Sequence, residues 1–507
     1  MTKLRAETLR EVGSRIAVPS YDRSKVSSGI VHLGVGGFHR AHQAMYVDAL
    51  LEKDGVDGDA GSWGITGVGL LEQDQAMAEV MADQDCLFTM VVKQADGSLE
   101  PRVIGSIIDY LFAPKDPEAV LERMVDPATR IVSLTVTEGG YHVNQATGDF
   151  DDTDESIRAD VRASQEGSLP ATAFGFITEA LSRRREAGTP PFTVMSCDNI
   201  QGNGTVAHDM ISAFATLCDD DLGAWIRESV DFPNSMVDRI TPVTTDDDRE
   251  LLSAEFDVQD GWPVVCESFT QWALEDSFTA PQDGSARPAL EDVGVQVVDD
   301  VEPYELMKLR LLNASHQALC YLGYLSGFRY AHEVAQDQLF ADFLLAYMDQ
   351  EATPTLSPVP GVDLDDYKHR LLERFANPEI KDTLARLCAE SSDRIPKWLV
   401  PVVRRNLEDD GQVQMSALVV AAWARYAEGV DESGEPIEVV DRRKDALMER
   451  AKRQALSDGG DPLAFLEDRD LFHDLHDQPA FTEPYVAALG SLHEHGARAT
   501  LEAWQHS

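Results

Sequence analysis

The segment KLRLLNASH, residues 308–316, sets a lysine, an asparagine and a histidine among leucines. A lysine in apolar surroundings has its charged form disfavoured, so its pKa falls from about 10.4 toward values at which it can accept a proton. Asparagine and histidine N–H groups can polarise a substrate oxygen. We therefore interpret Lys308, Asn313 and His316 as candidate catalytic residues. The alternative is a buried polar network without a catalytic role.

A helix is expected to position these residues. Pro303 can occupy a first helical turn, and neither proline nor glycine recurs before Gly323. At about 100° per residue, one face of this helix gathers four polar side chains within an arc of about 140°. They are Glu305, Lys308, Asn313 and His316.

Tyr304 and Lys308 also form the pattern YxxxK, which short-chain dehydrogenases use for alcohol oxidation. Patterns of this length arise often by chance. Both interpretations concern the same chemistry, but they assign the transferred proton to different atoms.

The N-terminal segment IVHLGVGGFHRAHQ, residues 30–43, predicts a buried strand, a glycine turn and a helix. This is the layout of the first βα unit of a dinucleotide-binding sheet, although His39 stands where GxGxxG has its third glycine. Any strand-to-helix turn could give the same pattern. The candidate cofactor contacts are Gly34, Gly36, Gly37, Phe38, His39 and Arg40.

A second predicted strand, GITGVGL at residues 64–70, precedes Glu72 and Asp74. An acidic residue at this point can bind the adenosine ribose, and no nearby arginine would accept a 2′-phosphate, so NAD is expected rather than NADP. Asp74 could equally start a helix. His39 and His42 have a spacing usable for metal binding, but no further ligands surround them.

Two later apolar segments, IVSLTVTEGGY and PFTVMSCDNI, end in polar residues. Active-site groups gather at such strand ends in open α/β sheets. Glu138, Asp198 and Asn199 are therefore candidates, although turn and cap roles are common for these residue types.

Helical patterns at residues 117–126 and 171–188 separate the strands, which predicts a doubly wound, Rossmann-type α/β sheet. Beyond about residue 300 helical patterns dominate, notably DLDDYKHRLLERFAN and ALVVAAWARYAEG. We predict a dinucleotide-binding domain over residues 1–298 and a mostly α-helical substrate domain over residues 299–507. The cleft between two such domains is the expected site.

Composition excludes several functions. The net charge of −46 would repel nucleic acid and anionic membranes. No run of about 18 apolar residues occurs, and the N-terminal residues lack an apolar signal segment, which predicts a cytoplasmic location. The six cysteines lack CxxC pairs, which argues against a disulfide framework and a structural zinc site.

Taken together, six segments resemble, in order, blocks of the polyol-specific long-chain dehydrogenase/reductase family. They are GVGGFHRAHQ, TEGGY, SCDNIQGNG, FPNSMVDRITP, WPVVCE and KLRLLNASH. The resemblance covers nearly the whole chain. It implies a Rossmann-type domain, a helical C-terminal domain, and NAD-dependent hydride transfer without a metal.

Carried over residue by residue, the resemblance implies a general base, alkoxide donors, substrate contacts and a proton path. Lys308 is the base and Asn199 and Asn313 are the donors, while Asp238 and His316 orient the substrate. The resemblance makes Glu138 and Glu305 members of the proton path between the lysine and solvent. Asp74 matches the acidic residue linked to NAD preference, and its neighbour Gln73 stands where some relatives have an acidic residue. Arg386 and Arg394 lie at basic substrate-side positions.

The function implied is interconversion of a polyol and a ketose, with mannitol and fructose as the leading pair, by a monomer or small homo-oligomer. The alternative is a hexuronate reductase acting on fructuronate or tagaturonate, since Arg386 or Arg394 could pair with a carboxylate. A nucleotide-binding regulator with a degenerate site would lack the lysine or the asparagines, and all are present.

The acidic composition predicts a salt-dependent, halophilic stability. With 89 acidic against 43 basic residues, self-repulsion is greatest in dilute buffer, and about 1 M salt shortens the Debye length to about 3 Å. We expect the melting temperature and activity to rise with KCl into the molar range. Sucrose at matched osmolality is the control for solute exclusion. Equal melting temperatures in dilute buffer and in concentrated KCl would contradict this expectation.

Overall fold

The computed structural model describes residues 1–144, 147–281, 284–454 and 459–505. The chain divides into two compact units, Met1–Val301 and Glu302–Ser507. The limits predicted from the sequence are 1–298 and 299–507. Each unit has its own architecture and is described separately.

The described strands all lie in the first unit. They are β1 (Thr2–Lys3), β2 (Ser28–Leu33), β3 (Gly64–Gly69), β4 (Phe88–Lys93), β5 (Leu99–Ile104), β6 (Ile107–Phe112), β7 (Ile131–Leu134), β8 (Thr193–Ser196), β9 (Ser235–Asp238), β10 (Val258–Gln259), β11 (Val264–Glu267), β12 (Gln271–Glu275) and β13 (Gln296–Val298).

The main sheet has five strands in the order β6-β3-β2-β7-β8. All its pairings are parallel. Every residue of β2, β3, β7 and β8 is buried, as expected where helices cover both faces of a parallel sheet. The first strand of this sheet in chain order is the central β2. β3 and β6 follow on one side of it, and β7 and β8 are then added on the other side. The predicted doubly wound sheet is therefore confirmed.

The helices of the first unit alternate with these strands. They are α1 (Leu9–Val12), α2 (Gly37–Ala41), α3 (Gln43–Asp54), α4 (Gln75–Asp83), α5 (Pro117–Val125), α6 (Glu155–Glu166), α7 (Ala173–Ala187), α8 (Asn203–Cys218), α9 (Asp220–Ser229) and α10 (Asp246–Phe256).

Two apolar cores flank the main sheet, because successive strand residues point to opposite faces. Ile30 of β2 packs in one core with Leu50 of α3. Val31, the next residue of β2, packs in the other core with Ile177 and Leu181 of α7. The predicted helices at 117–126 and 171–188 correspond to α5 and α7.

The first unit also contains smaller sheets that the sequence patterns did not reveal. They have the orders β1-β10, β11-β4-β5 and β13-β12-β9. Their strands are two to six residues long and join distant parts of the chain. Asp238 is the last residue of β9 and pairs in register with Gln271 of β12.

The second unit is helical, as predicted. Its α-helices are α11 (Glu302–Met307), α12 (Ala314–Leu325), α13 (Ala331–Ala335), α14 (Gln338–Tyr347), α15 (Leu364–Phe375), α16 (Leu384–Cys388), α17 (Ser391–Trp398), α18 (Val400–Glu408), α19 (Gln414–Ala427), α20 (Lys444–Arg453), α21 (Arg469–Phe472) and α22 (Pro479–Gln505). None of the helices in the described ranges is long and apolar enough to cross a membrane.

Two π-helical segments, Lys308–Asn313 and Met348–Ala352, interrupt these α-helices. The first joins α11 to α12, so the predicted helix is correct in extent but wrong in type over these residues. The Ala314 N–H donates to the Leu309 carbonyl, five residues back, which is the π-helical pattern. The uniform angle assumed from the sequence therefore does not hold there.

Candidate active site

A cavity of about 900 Å³ lies at the carboxyl ends of the main-sheet strands in the first unit. Its wall is formed by residues that follow β2, β3, β6 and β7, together with Ser156 of α6 and residues around the start of α7. The parts of the wall used below are Gly34–Gly36, Leu70–Asp74, Thr135–Thr137, Gly139, Gly140, His142 and Phe174. Ligands bind at this edge of open α/β sheets, next to the point where strand order reverses.

The glycine turn after β2 forms one side of the cavity. Gly34 has φ +93°, and a Cβ there would lie 2.3 Å from the Thr135 carbonyl oxygen. The Thr135 hydroxyl donates to the Gly34 carbonyl at 2.7 Å. A Cβ on Gly36 would meet nothing within 4 Å, so the backbone is open to close approach by a ligand. Gly34 and Gly36 therefore make a cradle that suits a phosphate group.

The side chains of His39 and Arg40, which follow this turn, are buried and do not line the cavity. His39 is 1% exposed and stacks on His32 with ring centroids 3.4 Å apart. Arg40 is buried, donates to the Trp262 carbonyl, and lies over the Phe88 ring. Burial lowers the pKa of the Arg40 guanidinium to about 10.

The described cavity lining includes neither these two residues nor Gly37 and Phe38. Phe38 instead stacks on His42, at 4.8 Å between ring centroids. The helix is broken at His42, between α2 and α3, which turns this segment into the core.

Asp74 lines the cavity and starts the turn into α4. Its Oδ2 accepts the Leu71 N–H at 2.9 Å. The two interpretations of this residue, cofactor contact and helix-starting residue, are therefore compatible. Glu72 and Gln73 line the same side of the cavity.

The loop after β7 and the loop after β8 are joined by Asp198. Its carboxylate accepts the N–H groups of Val136 at 3.0 Å and Thr137 at 2.9 Å, and the Tyr141 hydroxyl at 2.7 Å. Burial raises the pKa of Asp198, and these three hydrogen bonds oppose that rise. Burial and the neighbouring carboxylate hold the pKa of Tyr141 well above its usual value, so it remains a donor.

Glu138 and Asn199 are exposed residues next to this network. Glu138 follows Thr137 and begins a 3-10 turn, Glu138–Tyr141. Asn199 follows Asp198. The structure therefore brings together the two loops that the strand-end rule identified. Asp238 is buried at the end of β9.

In the second unit, the π-helical segment changes the geometry of the polar face. Lys308 and Asn313 are its first and last residues, and both are buried. The net angle around the helix axis between a residue and the fifth residue after it is about 140° in an α-helix. In a π-helix of about 4.4 residues per turn, that angle is about 50°. The π segment therefore rotates Asn313 toward the side on which Lys308 lies.

One unpaired polar atom lies on the same face. The Asn313 amide nitrogen Nδ2 is buried and has no hydrogen-bond partner among the described residues. Buried amide groups are normally satisfied, so an unpaired one calls for a ligand or another explanation. His316, one turn further, packs against Phe375 at 4.5 Å between ring centroids. Glu305 lies in α11 and is buried.

Tyr304 is held by a different interaction. Its hydroxyl donates to the Pro360 carbonyl at 2.7 Å. Burial raises the pKa of its phenol, which makes it a poorer proton donor. The Tyr304 hydroxyl is therefore engaged with the backbone of the second unit.

The two candidate arginines are engaged within the second unit. Arg386 binds Asp382 through two hydrogen bonds, one of them Nε to Oδ1 at 2.6 Å. Arg394 donates to the carbonyls of Leu387 at 2.9 Å and Arg386 at 3.1 Å. Their guanidinium groups thus stabilise the turn around α16.

No group of three or more His, Cys, Asp or Glu positioned to hold a metal ion occurs in the described part of the chain. His39 packs on His32, and the His42 Nε2 lies 3.1 Å from the Gln271 carbonyl oxygen. His39 and His42 thus make contacts within the protein core.

Sequence reasoning missed several residues of the cavity. Thr135, Val136 and Thr137 follow β7 directly, so the strand-end rule could have identified them. His142 and Phe174 carry no such signal, because the fold of the loop and the start of α7 bring them to the wall.

Comparisons with known proteins agree with this architecture. The family model described as the mannitol dehydrogenase Rossmann domain matches residues 28–284, and that of the mannitol dehydrogenase C-terminal domain matches residues 300–493. Mannitol 2-dehydrogenase of Neosartorya fischeri is 43% identical over 508 residues, covering 98% of each chain. The Aspergillus fumigatus protein of that name is 44% identical with the same coverage.

Two solved structures are similar over nearly the full length. The Pseudomonas fluorescens mannitol 2-dehydrogenase, a ternary complex with NAD and D-mannitol, is 43% identical, covers 100% of both chains and has a TM-score of 0.85. A D-sorbitol dehydrogenase in substrate-free form is 36% identical, covers 98% of this chain and 100% of its own, and has a TM-score of 0.89. With both domains matched in order and relatives aligned from end to end, the chain belongs to the mannitol dehydrogenase family.

Proposed function

We propose that this protein is an NAD-dependent polyol dehydrogenase that interconverts D-mannitol and D-fructose, with Lys308 as general base and no metal. The observation that supports this proposal most is the polar face of the π segment, which bears buried Lys308 and an Asn313 amide nitrogen that has no hydrogen-bond partner among the described residues. A base and a hydrogen-bond donor are the two groups that removal of a proton from an alcohol requires. The named relatives act on the same class of substrate.

The first unit fits a dinucleotide. The open backbone at Gly36 and the positive φ of Gly34 would form a cradle for the diphosphate, and Asp74, on the wall of the same cavity, would bind the adenosine ribose. NAD, when bound, supplies the acceptor for the hydride. The 2′-phosphate of NADP would be repelled by the acidic side chains of Glu72 and Asp74 on this wall.

The chain's residues would act on the hydroxyl group. Neutral Lys308 accepts its proton at Nζ as hydride leaves the same carbon, which leaves a ketone. Asn313 Nδ2 and the Asn199 amide donate to the oxygen as negative charge develops. His316 and Asp238 orient the remaining hydroxyls, while Glu138 and Glu305 pass the proton between lysine and solvent.

Engagement of the arginines weighs against the hexuronate alternative. Arg386 is already paired with Asp382, and Arg394 donates through Nη1 to two backbone carbonyls, so part of each guanidinium is engaged within the second unit. Since a D-sorbitol dehydrogenase is also similar, the choice between epimeric hexitols has to be measured.

A substrate screen followed by NADH absorbance tests the function. We expect the highest kcat/KM for mannitol in oxidation and fructose in reduction, above sorbitol, xylulose, fructuronate and tagaturonate, and unchanged after exhaustive EDTA treatment. A preference for either uronate would support the hexuronate reductase. Loss of activity on chelation, restored by a divalent ion, would contradict the metal-free mechanism.

Substitutions at three positions test the proton assignment. We expect Lys308→Ala to lower kcat by about 10²–10⁴-fold and to abolish the limb of the pH profile that reports ionisation of the base. Asn313→Ala should lower kcat on the order of 10²-fold and keep that limb. Tyr304→Phe is the control, with a loss below about tenfold, since its hydroxyl serves Pro360. A Tyr304→Phe enzyme lacking the limb would instead assign the proton to tyrosine.

Cofactor selectivity tests Asp74 separately from its role in the turn. Asp74→Asn retains an oxygen for the Leu71 N–H but removes the charge that repels a 2′-phosphate. We expect the NAD to NADP ratio of kcat/KM to fall about tenfold in both Asp74→Asn and Asp74→Ala, with a lower melting temperature in the alanine variant only. An unchanged ratio in Asp74→Asn and a reduced one in Glu72→Gln would assign the ribose to Glu72.

A further inference from the structure

The backbone at Thr137 adopts a conformation that side chains strongly disfavour. Its φ is +64° and its ψ is 168°. This region is populated almost only by glycine, and a β-branched residue is especially unfavourable there. Thr137 lies in the cavity wall between β7 and the 3-10 turn that begins with Glu138. Such a conformation persists only where neighbouring groups hold it.

The Asp198 carboxylate is the group that holds it. Its two oxygens accept the successive N–H groups of Val136 and Thr137, so both peptide planes are fixed at the strained residue. Tyr141, at the other end of the loop, is fully buried and donates to the same carboxylate. One side chain therefore binds the loop at its start and at its end.

The backbone at Asp198 is itself fixed by buried hydrogen bonds. The buried Asn203 amide donates to the Asp198 carbonyl at 3.0 Å and to the Ser235 carbonyl at 2.8 Å. The Ser196 hydroxyl oxygen lies 2.6 Å from the Tyr141 hydroxyl oxygen. Asp198 is 7% exposed. The carboxylate is thus a rigid anchor rather than a surface group.

Two proposed catalytic groups adjoin this anchor. Glu138 follows the strained Thr137, and Asn199 follows Asp198. Both are exposed, whereas the Asp198 carboxylate, which accepts the N–H groups of Val136 and Thr137, is buried. Movement of the Asp198 carboxylate would therefore displace Glu138 and Asn199 together.

We propose that Asp198 is a positioning residue for catalysis, which clamps the loop after β7 in its strained form and so fixes Glu138 relative to Asn199. This inference rests on the proposed function of those two residues. The strain at Thr137 is maintained by the carboxylate, and the loop relaxes when the carboxylate is removed.

The test combines Asp198→Asn with Thr137→Gly, since glycine adopts this conformation without strain. We expect Asp198→Asn to lower kcat for polyol oxidation on the order of 10²-fold, the scale of a small misplacement of catalytic groups. The double variant should recover to within about threefold of Thr137→Gly alone. Thr137→Gly by itself should raise the melting temperature by about 2–4 °C.

A matched control exists in the second unit. Glu351 is fully buried and, like Asp198, accepts two successive backbone N–H groups, from Met415 and Ser416, and one hydroxyl, from Ser416. Its carboxylate caps α19, and the hydrogen bonds that it accepts come from Met415 and Ser416, which are not proposed catalytic residues. Glu351→Gln should lower the melting temperature with kcat within about twofold of the wild type, and Thr137→Gly should not restore its stability.

The outcomes separate this inference from the proposed function. The proposal that Asp198 holds the strained loop would be overturned by two results together. They are that Thr137→Gly does not restore the kcat of Asp198→Asn, and that Thr137→Gly alone lowers the melting temperature. If Asp198→Asn does not fold, Tyr141→Phe removes one bond to the carboxylate and should show a smaller loss of kcat that Thr137→Gly also restores. If the wild type oxidises no polyol, the proposed function fails. The crystal structure of Asp198→Asn then still decides, since Thr137 should return to a negative φ.

Discussion

The parallel pairing of β2 with β7 is the constraint on which the cavity of the first unit depends. Leu33 and Leu134 are in register, so the chain leaves the sheet at Gly34 and Thr135 side by side. Only glycine fits there, because a Cβ would meet the Thr135 carbonyl oxygen at 2.3 Å. The pairing of Leu134 with Ser196 then brings the loop after β8 alongside. Strand register thus determines both the glycine turn and the position of Asp198.

Much of this fold follows from local sequence patterns, and the reasons are visible in particular elements. β2, β3, β7 and β8 were predictable since each lies in a mostly apolar segment of the sequence, as expected for buried parallel strands. The strand-end rule pointed to Glu138, Asp198 and Asn199. It did not reveal that Asp198 binds Val136 and Thr137, since that contact depends on register between strands about sixty residues apart. The motif placed His39 and Arg40 at the cofactor, but side-chain direction depends on the helix break at His42.

The π segment illustrates a second limit of sequence reasoning. Its residues, KLRLLN, have ordinary helical propensities, and a shift of the hydrogen bond from the fourth to the fifth residue back leaves no compositional signature. The consequence for chemistry is nevertheless large, because Lys308 and Asn313 move from about 140° apart to about 50° apart around the axis. The π segment removes about one residue's worth of rotation, so the proposed base and the proposed donor lie closer together around the helix axis than in a regular α-helix. The polar face predicted from the sequence is therefore more compact than a regular α-helix would give.

The acidic residues of this chain form two populations that respond to different forces. Most are exposed and contribute to the net charge of −46, whose repulsion salt screens. Asp160, Asp198 and Glu351 are buried and accept backbone N–H groups. Their interactions are short-ranged and shielded from ions, so added salt changes them little. Burial raises the pKa of Asp198, and it raises the pKa of Glu351 to about 7. Salt would therefore change the free energy of folding through the exposed acidic residues. The loop geometry at Thr137 depends instead on hydrogen bonds that ionic strength does not weaken.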